Sequence, residues 1–162
     1  PFHTPALATV AEDGTPAVRT VVLRGFDAEH RYLRIHTDVR SAKVAEMTAH
    51  PAVMLHAYDP GQQVQVRLTG RARIHTGDGI ARQFWLASQP KSRLCYAVSP
   101  GPGQPVEEPP PAPLQEDGAE ANFAVFIIQF DALEWLLLAS AGHRRARFTW
   151  REGELASTWL VP

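Results

Sequence analysis

A chain of 162 residues, 44% hydrophobic, is long enough for one domain with a real core and too short for two comfortable ones. Its formal net charge of -1 gives no reason to expect nucleic acid or an anionic membrane surface as a partner, and no apolar run approaches the roughly 20 residues that cross a bilayer. The single cysteine, Cys95, rules out an internal disulfide and a cysteine-built zinc site, so a cytoplasmic location is the default expectation. The chain opens on Pro1, which leaves a removed targeting segment open.

Taken in order, the first third reads as strands. Leu7 to Val10 is followed by the turn Glu12-Asp13-Gly14, and Ala17 to Phe26 is one long β-branched stretch, so the two form a hairpin. Tyr32 to Thr37 is a third strand. From Arg40 to His50 the period changes to helical, with Asp38 as N-cap and Pro51 as the stop. Ala52 to Tyr58 and Val64 to Ile74 are strands joined by Asp59-Pro60-Gly61, the second alternating cleanly.

Asp78 caps a helix to about Ser88 with Ile80, Phe84 and Leu86 inward, and a short helix covers Lys91 to Val98. Residues 99–121, dense in proline, form an irregular, partly extended loop. Phe123 to Phe130 is almost continuously apolar, as in a strand buried on both faces, and it continues through Trp135 to Leu138 after a bend at Asp131. His143 to Trp150 and Ala156 to Val161 make a final pair across Glu152-Gly153. The expected fold is mainly β with short helices: six or seven strands in a small barrel, residues 1–162 forming a single domain.

Three segments carry chemistry. In His36-Thr37-Asp38-Val39-Arg40-Ser41-Ala42-Lys43 a strand runs into a helix N-terminus. The free N–H groups there carry partial positive charge and favour acids, yet this turn holds Arg40 and Lys43 with the hydroxyls of Thr37 and Ser41. A phosphate resolves the conflict; a solvated basic helix end is the competing reading. In Arg19-Thr20-Val21-Val22-Leu23-Arg24 the two arginines alternate onto opposite faces, which an exposed edge strand would also explain. In the strand from His143 to Trp150, Arg145, Arg147 and Thr149 share one face and Phe148 and Trp150 the other. The arginine face suits an anion or solvent. The seven histidines lack metal-ligand spacing, and no Gly-x-Ser-x-Gly elbow or Walker loop is present.

Leu-Ala-Thr-Val with its acidic-Gly turn, Arg-Thr-Val-Val-Leu-Arg, His-Thr-Asp-Val-Arg-Ser-Ala-Lys and Gln-Val-Arg-Leu-Thr-Gly-Arg-Ala follow one another in this order. This succession resembles the pyridoxamine 5′-phosphate oxidase family, and more closely its oxidase-related branch of FMN-binding split β-barrels. The resemblance covers about Leu7 to Ala72 and about Phe123 to Pro162. It implies FMN held between the two chains of a homodimer, by Arg19, Thr20, Val21, Val22, Leu23 and Arg24 on one strand and by His36, Thr37, Ser41 and Lys43 around the helix start. Arg40 would stand in for the family's middle arginine, which is Ala42 here. Gln65 and Arg147 match positions near the flavin ring.

Positions that hold the oxidases' substrate are changed. They fall at Trp85 and near Gln89, and at His143 and Arg145, while the family tryptophan before the last hairpin is about Leu136. Trp85, His143 and Arg145 are therefore the substrate candidates. The implied activity is that of a flavin oxidoreductase with another small-molecule substrate. The alternatives are a non-catalytic flavin or haem carrier or sensor, a deazaflavin in place of FMN, or a scaffold whose cofactor site has decayed. Four tryptophans and long apolar strands also exceed what one small barrel buries, a second reason to expect a dimer.

Overall fold

The computed structural model describes residues 2–162. Nine strands hydrogen-bond into one sheet: β1 Ala6–Val10, β2 Pro16–Thr20, β3 Leu23–Asp27, β4 Tyr32–Asp38, β5 Ala52–Asp59, β6 Val64–Thr76, β7 Phe123–Leu137, β8 Arg144–Arg151 and β9 Glu154–Leu160. Their order is β2-β1-β5-β6-β7-β4-β3, with β8 and β9 branching from β7. The outermost strands of that path, β2 and β3, are consecutive in the chain. The sheet therefore curls back on itself, although β2 and β3 do not pair with each other and β9 pairs only with β8.

The β-branched run from Ala17 to Phe26 is not one strand. Thr20 pairs with Ala6 of β1, whereas Leu23 pairs with Ile35 of β4. At the switch, Val21 N–H donates to Pro5 O and Leu23 N–H to His3 O, so the N-terminal segment satisfies the backbone while the chain changes partners. Val21 turns into the core there, 6% exposed. Arg19 and Arg24 consequently sit on different strands.

β7 is the spine and the place where the barrel splits. All along its length it pairs with β6; on its other edge residues 123–129 pair with β4 and residues 132–137 with β8. The exchange needs a bulge, where Thr69 faces Ala132 but Gly70 faces Phe130. Gly70 is required: a Cβ there would lie 2.2 Å from Gln129 O. The first part of β7 is buried on both faces, as its apolar run predicts. Phe126, Ile128 and Phe130 fill the barrel with Leu7, Leu33 and Ile35, and Met47 seals one end. Phe123 and Val125 face outward beneath a second core. Burying each such side chain contributes about 1.5–3 kcal/mol.

Helix α1, Ala42–Ala49, has Ser41, not Asp38, at its N-cap position, and the Ser41 side chain makes no capping hydrogen bond. Helix α2, Gly79–Ala87, has Asp78 as its N-cap, accepting from Ala81 N–H at 2.8 Å. It turns Ala81 and Trp85 inward; Ile80 and Leu86 are exposed and Phe84 is partly buried. The inward reading of Ile80 and Leu86 fails because Trp85 fills the space over Phe123. The short helix α3, Pro90–Arg93, runs into a 3-10 turn, Leu94–Tyr96. The proline-rich segment is irregular until α4, Ala119–Asn122. It is tied down by Arg93 and Glu116, 3.4 Å apart. The last hairpin turns on Glu152-Gly153, both at positive φ, a two-residue turn that matches strand twist.

Candidate functional site

Around the start of α1 the sequence-derived residues converge, with two additions. Lys43 Nζ donates to Ser41 Oγ at 3.1 Å, and Ser41 Oγ lies 3.3 Å from Thr37 Oγ1. Thr37 and Ser41 are buried. No acid occupies the first turn of α1 and no side chain caps it. Burial, followed by the nearby charge of Arg19, lowers the pKa of Lys43. Arg19 reaches over from β2 to Thr9 and to Glu46, its guanidinium 2.7 Å from the carboxylate. Thr9 and Glu46 were not foreseen. Their only sequence signals are a threonine at an inward position of β1 and an acid one turn into a basic helix.

Arg40 does not join this cluster. Its guanidinium forms a bidentate pair with the buried carboxylate of Asp38, through Nε at 2.9 Å and a terminal nitrogen at 2.6 Å. It also donates to Tyr96 O at 3.3 Å and Val98 O at 3.0 Å. Adjacent backbone geometry aims it there, since Arg40 N–H also donates to Asp38 at 2.8 Å. Arg40 thus fastens the β4–α1 turn to the segment after α3.

His36 projects outward from β4 against Phe123 and Phe84, with ring centroids 5.0 and 5.9 Å away. Burial, then the charges of Arg34 and Arg24, push its pKa down to about 4, so it is neutral at pH 7. Arg24, exposed on β3, accepts through its carbonyl a bond from Arg34.

A second cluster lies on the outer face of β6, β7 and β8. The Glu134 carboxylate accepts from Arg145 at 2.6 Å and from Arg147 Nε at 2.9 Å, and Arg67 stands 3.7 Å away. Hydrogen bonds from Arg145 chiefly, then from Arg147, hold the Glu134 pKa below the usual carboxylate value despite burial. Gln65 lies two residues along β6 and bonds His56 at 3.0 Å. Sequence reading missed Glu134, although a lone acid within Leu133-Glu134-Trp135-Leu136-Leu137 needs a cation and is itself a signal.

Of the substrate candidates, Trp85 is a core residue, 4% exposed, between Tyr96 and Phe123. His143 is exposed before β8, and Arg145 is engaged by Glu134. Pairing register puts Thr20, Ala6, His56, Arg67, Glu134 and Arg147 in one row across six strands. Five strand spacings, about 24 Å along the sheet, therefore separate Thr20 from Arg147. Among the described residues no side-chain hydrogen bond or ion pair joins the two clusters.

Residues 1–76 match the family model described as pyridoxamine 5′-phosphate oxidase, FMN-binding domain. Over residues 1–76 the chain is thus similar to the FMN-binding domain of the pyridoxamine 5′-phosphate oxidases, and its fold is that of the FMN-binding split barrels. The cofactor of the matched domain is FMN. Among relatives, pyridoxine/pyridoxamine 5′-phosphate oxidase 2 of Arabidopsis thaliana is 35% identical over 106 residues, 61% of this chain and 53% of that one. The pyridoxine/pyridoxamine 5′-phosphate oxidase of Myxococcus xanthus strain DK1622 is 32% identical over 124 residues, 64% of this chain and 59% of that one. The chain thus spans little more than half the length of these oxidases.

Among solved structures, a pyridoxamine 5′-phosphate oxidase-related, FMN-binding protein of Nostoc punctiforme PCC 73102 superposes with a TM-score of 0.82 at 27% identity. The match covers 99% of this chain and 88% of that one. PhzG of Burkholderia lata 383, solved with tetrahydrophenazine-1-carboxylic acid, shares the fold at a TM-score of 0.80 and 18% identity, over 99% and 83% of the two chains. Among the described residues no helix is long and apolar enough to cross a membrane.

Proposed function

We propose that this protein is an FMN-dependent oxidoreductase, active as a homodimer, with the phosphate of FMN held at the start of α1. The observation that carries the reading is the pair Arg19 and Lys43 at an uncapped, acid-free helix N-terminus, with Ser41 and Thr37 beside it. Two cations, two hydroxyls and free N–H groups fit one phosphate dianion. Glu46 is the one carboxylate in this group, and its pairing with Arg19 keeps that arginine extended toward α1.

When bound, FMN supplies the hydride chemistry. The chain's own residues position it and set its surroundings. Val21, Val22 and Leu23 give a backbone whose chain switch runs beside the cluster, and Arg24 and neutral His36 stand on the adjoining strands. Arg147 and Gln65 are the ring-edge candidates, where a fixed cation and an amide favour an anionic reduced ring. The 24 Å of sheet between Thr20 and Arg147 supports a site completed by Gln65 and Arg147 of a second copy. Buried Trp85 and Leu136 in place of tryptophan support a substrate other than that of the named oxidases.

The test is anaerobic reduction of the FMN-loaded protein by a panel of organic hydride donors, followed by oxygen. Donor-dependent bleaching and reoxidation are expected. Flavin that binds but stays oxidised with every donor supports a carrier or sensor instead.

A further inference from the structure

We propose that a groove on the outer barrel wall, between α2 and the β3–β4 turn, binds a small organic anion with a flat apolar body and a carboxylate. The groove encloses about 780 Å³, within the range of small-molecule sites, and none of Arg19, Ser41, Lys43, Gln65 or Arg147 lines it. Its apolar lining comes from Phe84, Ile127 and Ile80. Its rim carries Arg31, Arg71 and Arg73, with Asp131 as the single carboxylate among the lining residues. His75 also lines the groove, but its imidazole is already paired with Asp78 at 2.8 Å.

Three features show that the cations are not ordinary surface charges. Among the described residues, no carboxylate oxygen lies within ion-pair distance of Arg31, Arg71 or Arg73, although six arginine–carboxylate pairs form elsewhere. Arg71 and Arg73 are two positions apart on one face of β6, about 7 Å, so their like charges repel unless an anion sits between them. Arg31 is held at φ 56°, a left-handed conformation that an arginine rarely adopts. Its guanidinium lies 5.3 Å from the Trp150 ring centre, and its buried Nε has no hydrogen-bond partner. The neighbouring amides of Gln83 and Gln129 also line the groove and offer further donors. An apolar lining, a cationic rim and convergent amides recognise an aromatic carboxylate; a neutral analogue forfeits the rim.

The probe is 2-naphthoate, titrated calorimetrically with and without saturating FMN, against neutral 2-naphthamide. The carboxylate is expected to bind in both conditions, and the amide about tenfold more weakly or worse. Arg71 and Arg73 are exposed, so the double variant Arg71→Gln/Arg73→Gln keeps the fold. It should lose about tenfold in naphthoate affinity, retain FMN as before, and lose the salt dependence of naphthoate binding. Equal binding of the two probes, an unchanged naphthoate affinity in the double variant, or no binding by the wild-type protein overturns the proposal. Failure of FMN to bind overturns the cofactor-site reading and leaves this one standing.

Discussion

Arg147 donates through Nε to the carboxylate of Glu134 at 2.9 Å, from the strand next to it in the sheet. Glu134 sits in an apolar run and is shielded by its neighbours, its side chain 11% exposed. The carboxylate therefore fixes the direction of the arginine that the cofactor reading places at the ring edge, and it does the same for Arg145.

Glu134→Ala should destabilise the protein by about 1–3 kcal/mol, because it leaves Arg67, Arg145 and Arg147 facing one another. The folded pKa of Glu134 lies below its ordinary 4.5. Its contribution is thus complete above pH 4.5 and is lost as pH falls through the lower folded value. Urea unfolding of the wild type and Glu134→Gln from pH 7 to 3 checks this. The gap between them should be constant above 4.5 and close below it.

Arg40→Ala should cost about 2–3 kcal/mol by stranding the buried Asp38 carboxylate and freeing the carbonyls of Tyr96 and Val98. FMN affinity should change by less than about threefold, because the guanidinium is turned away from Lys43. Parallel denaturation and flavin titration separate the two effects; a large loss of FMN would return Arg40 to the phosphate site.

His36 should titrate at about 4, well below the ordinary 6.5. The depressed value makes its stability contribution complete above pH 6.5 and progressively lost as pH falls to and through 4. NMR of the imidazole protons gives the value directly. His36→Phe should flatten stability over that window, and titration near 6.5 would contradict the burial.

Gly70→Ala should destabilise by about 2–4 kcal/mol, since the new methyl meets the backbone of Gln129 and Phe130, which cannot swing aside. Urea denaturation measures the loss.

Much of this was legible in the sequence because it rests on local rules. The continuous apolar stretch from Phe123 to Phe126 announced a strand covered on both sides, and the run Arg40-Ser41-Ala42-Lys43 announced a helix start with no acid in its first turn. What the sequence hid depends on distant partners. Nothing in Ala17 to Phe26 says that the strand changes neighbours at Val21, because the cause is the backbone of His3 and Pro5. Arg40 looked equivalent to Lys43 in one dimension, yet a two-residue reach to Asp38 takes it away. The groove rimmed by Arg31, Arg71 and Arg73 joins segments forty residues apart and has no motif.

The central claim is that Arg19, Ser41 and Lys43 hold the FMN phosphate. Its most direct test is the visible spectrum of the protein after loading with FMN and removal of free flavin, for the wild type and Lys43→Glu side by side. The account predicts retained flavin bands near one FMN per chain in the wild type and affinity weakened about a hundredfold in the variant. Equal retention by both proteins, or none by the wild type, would contradict it.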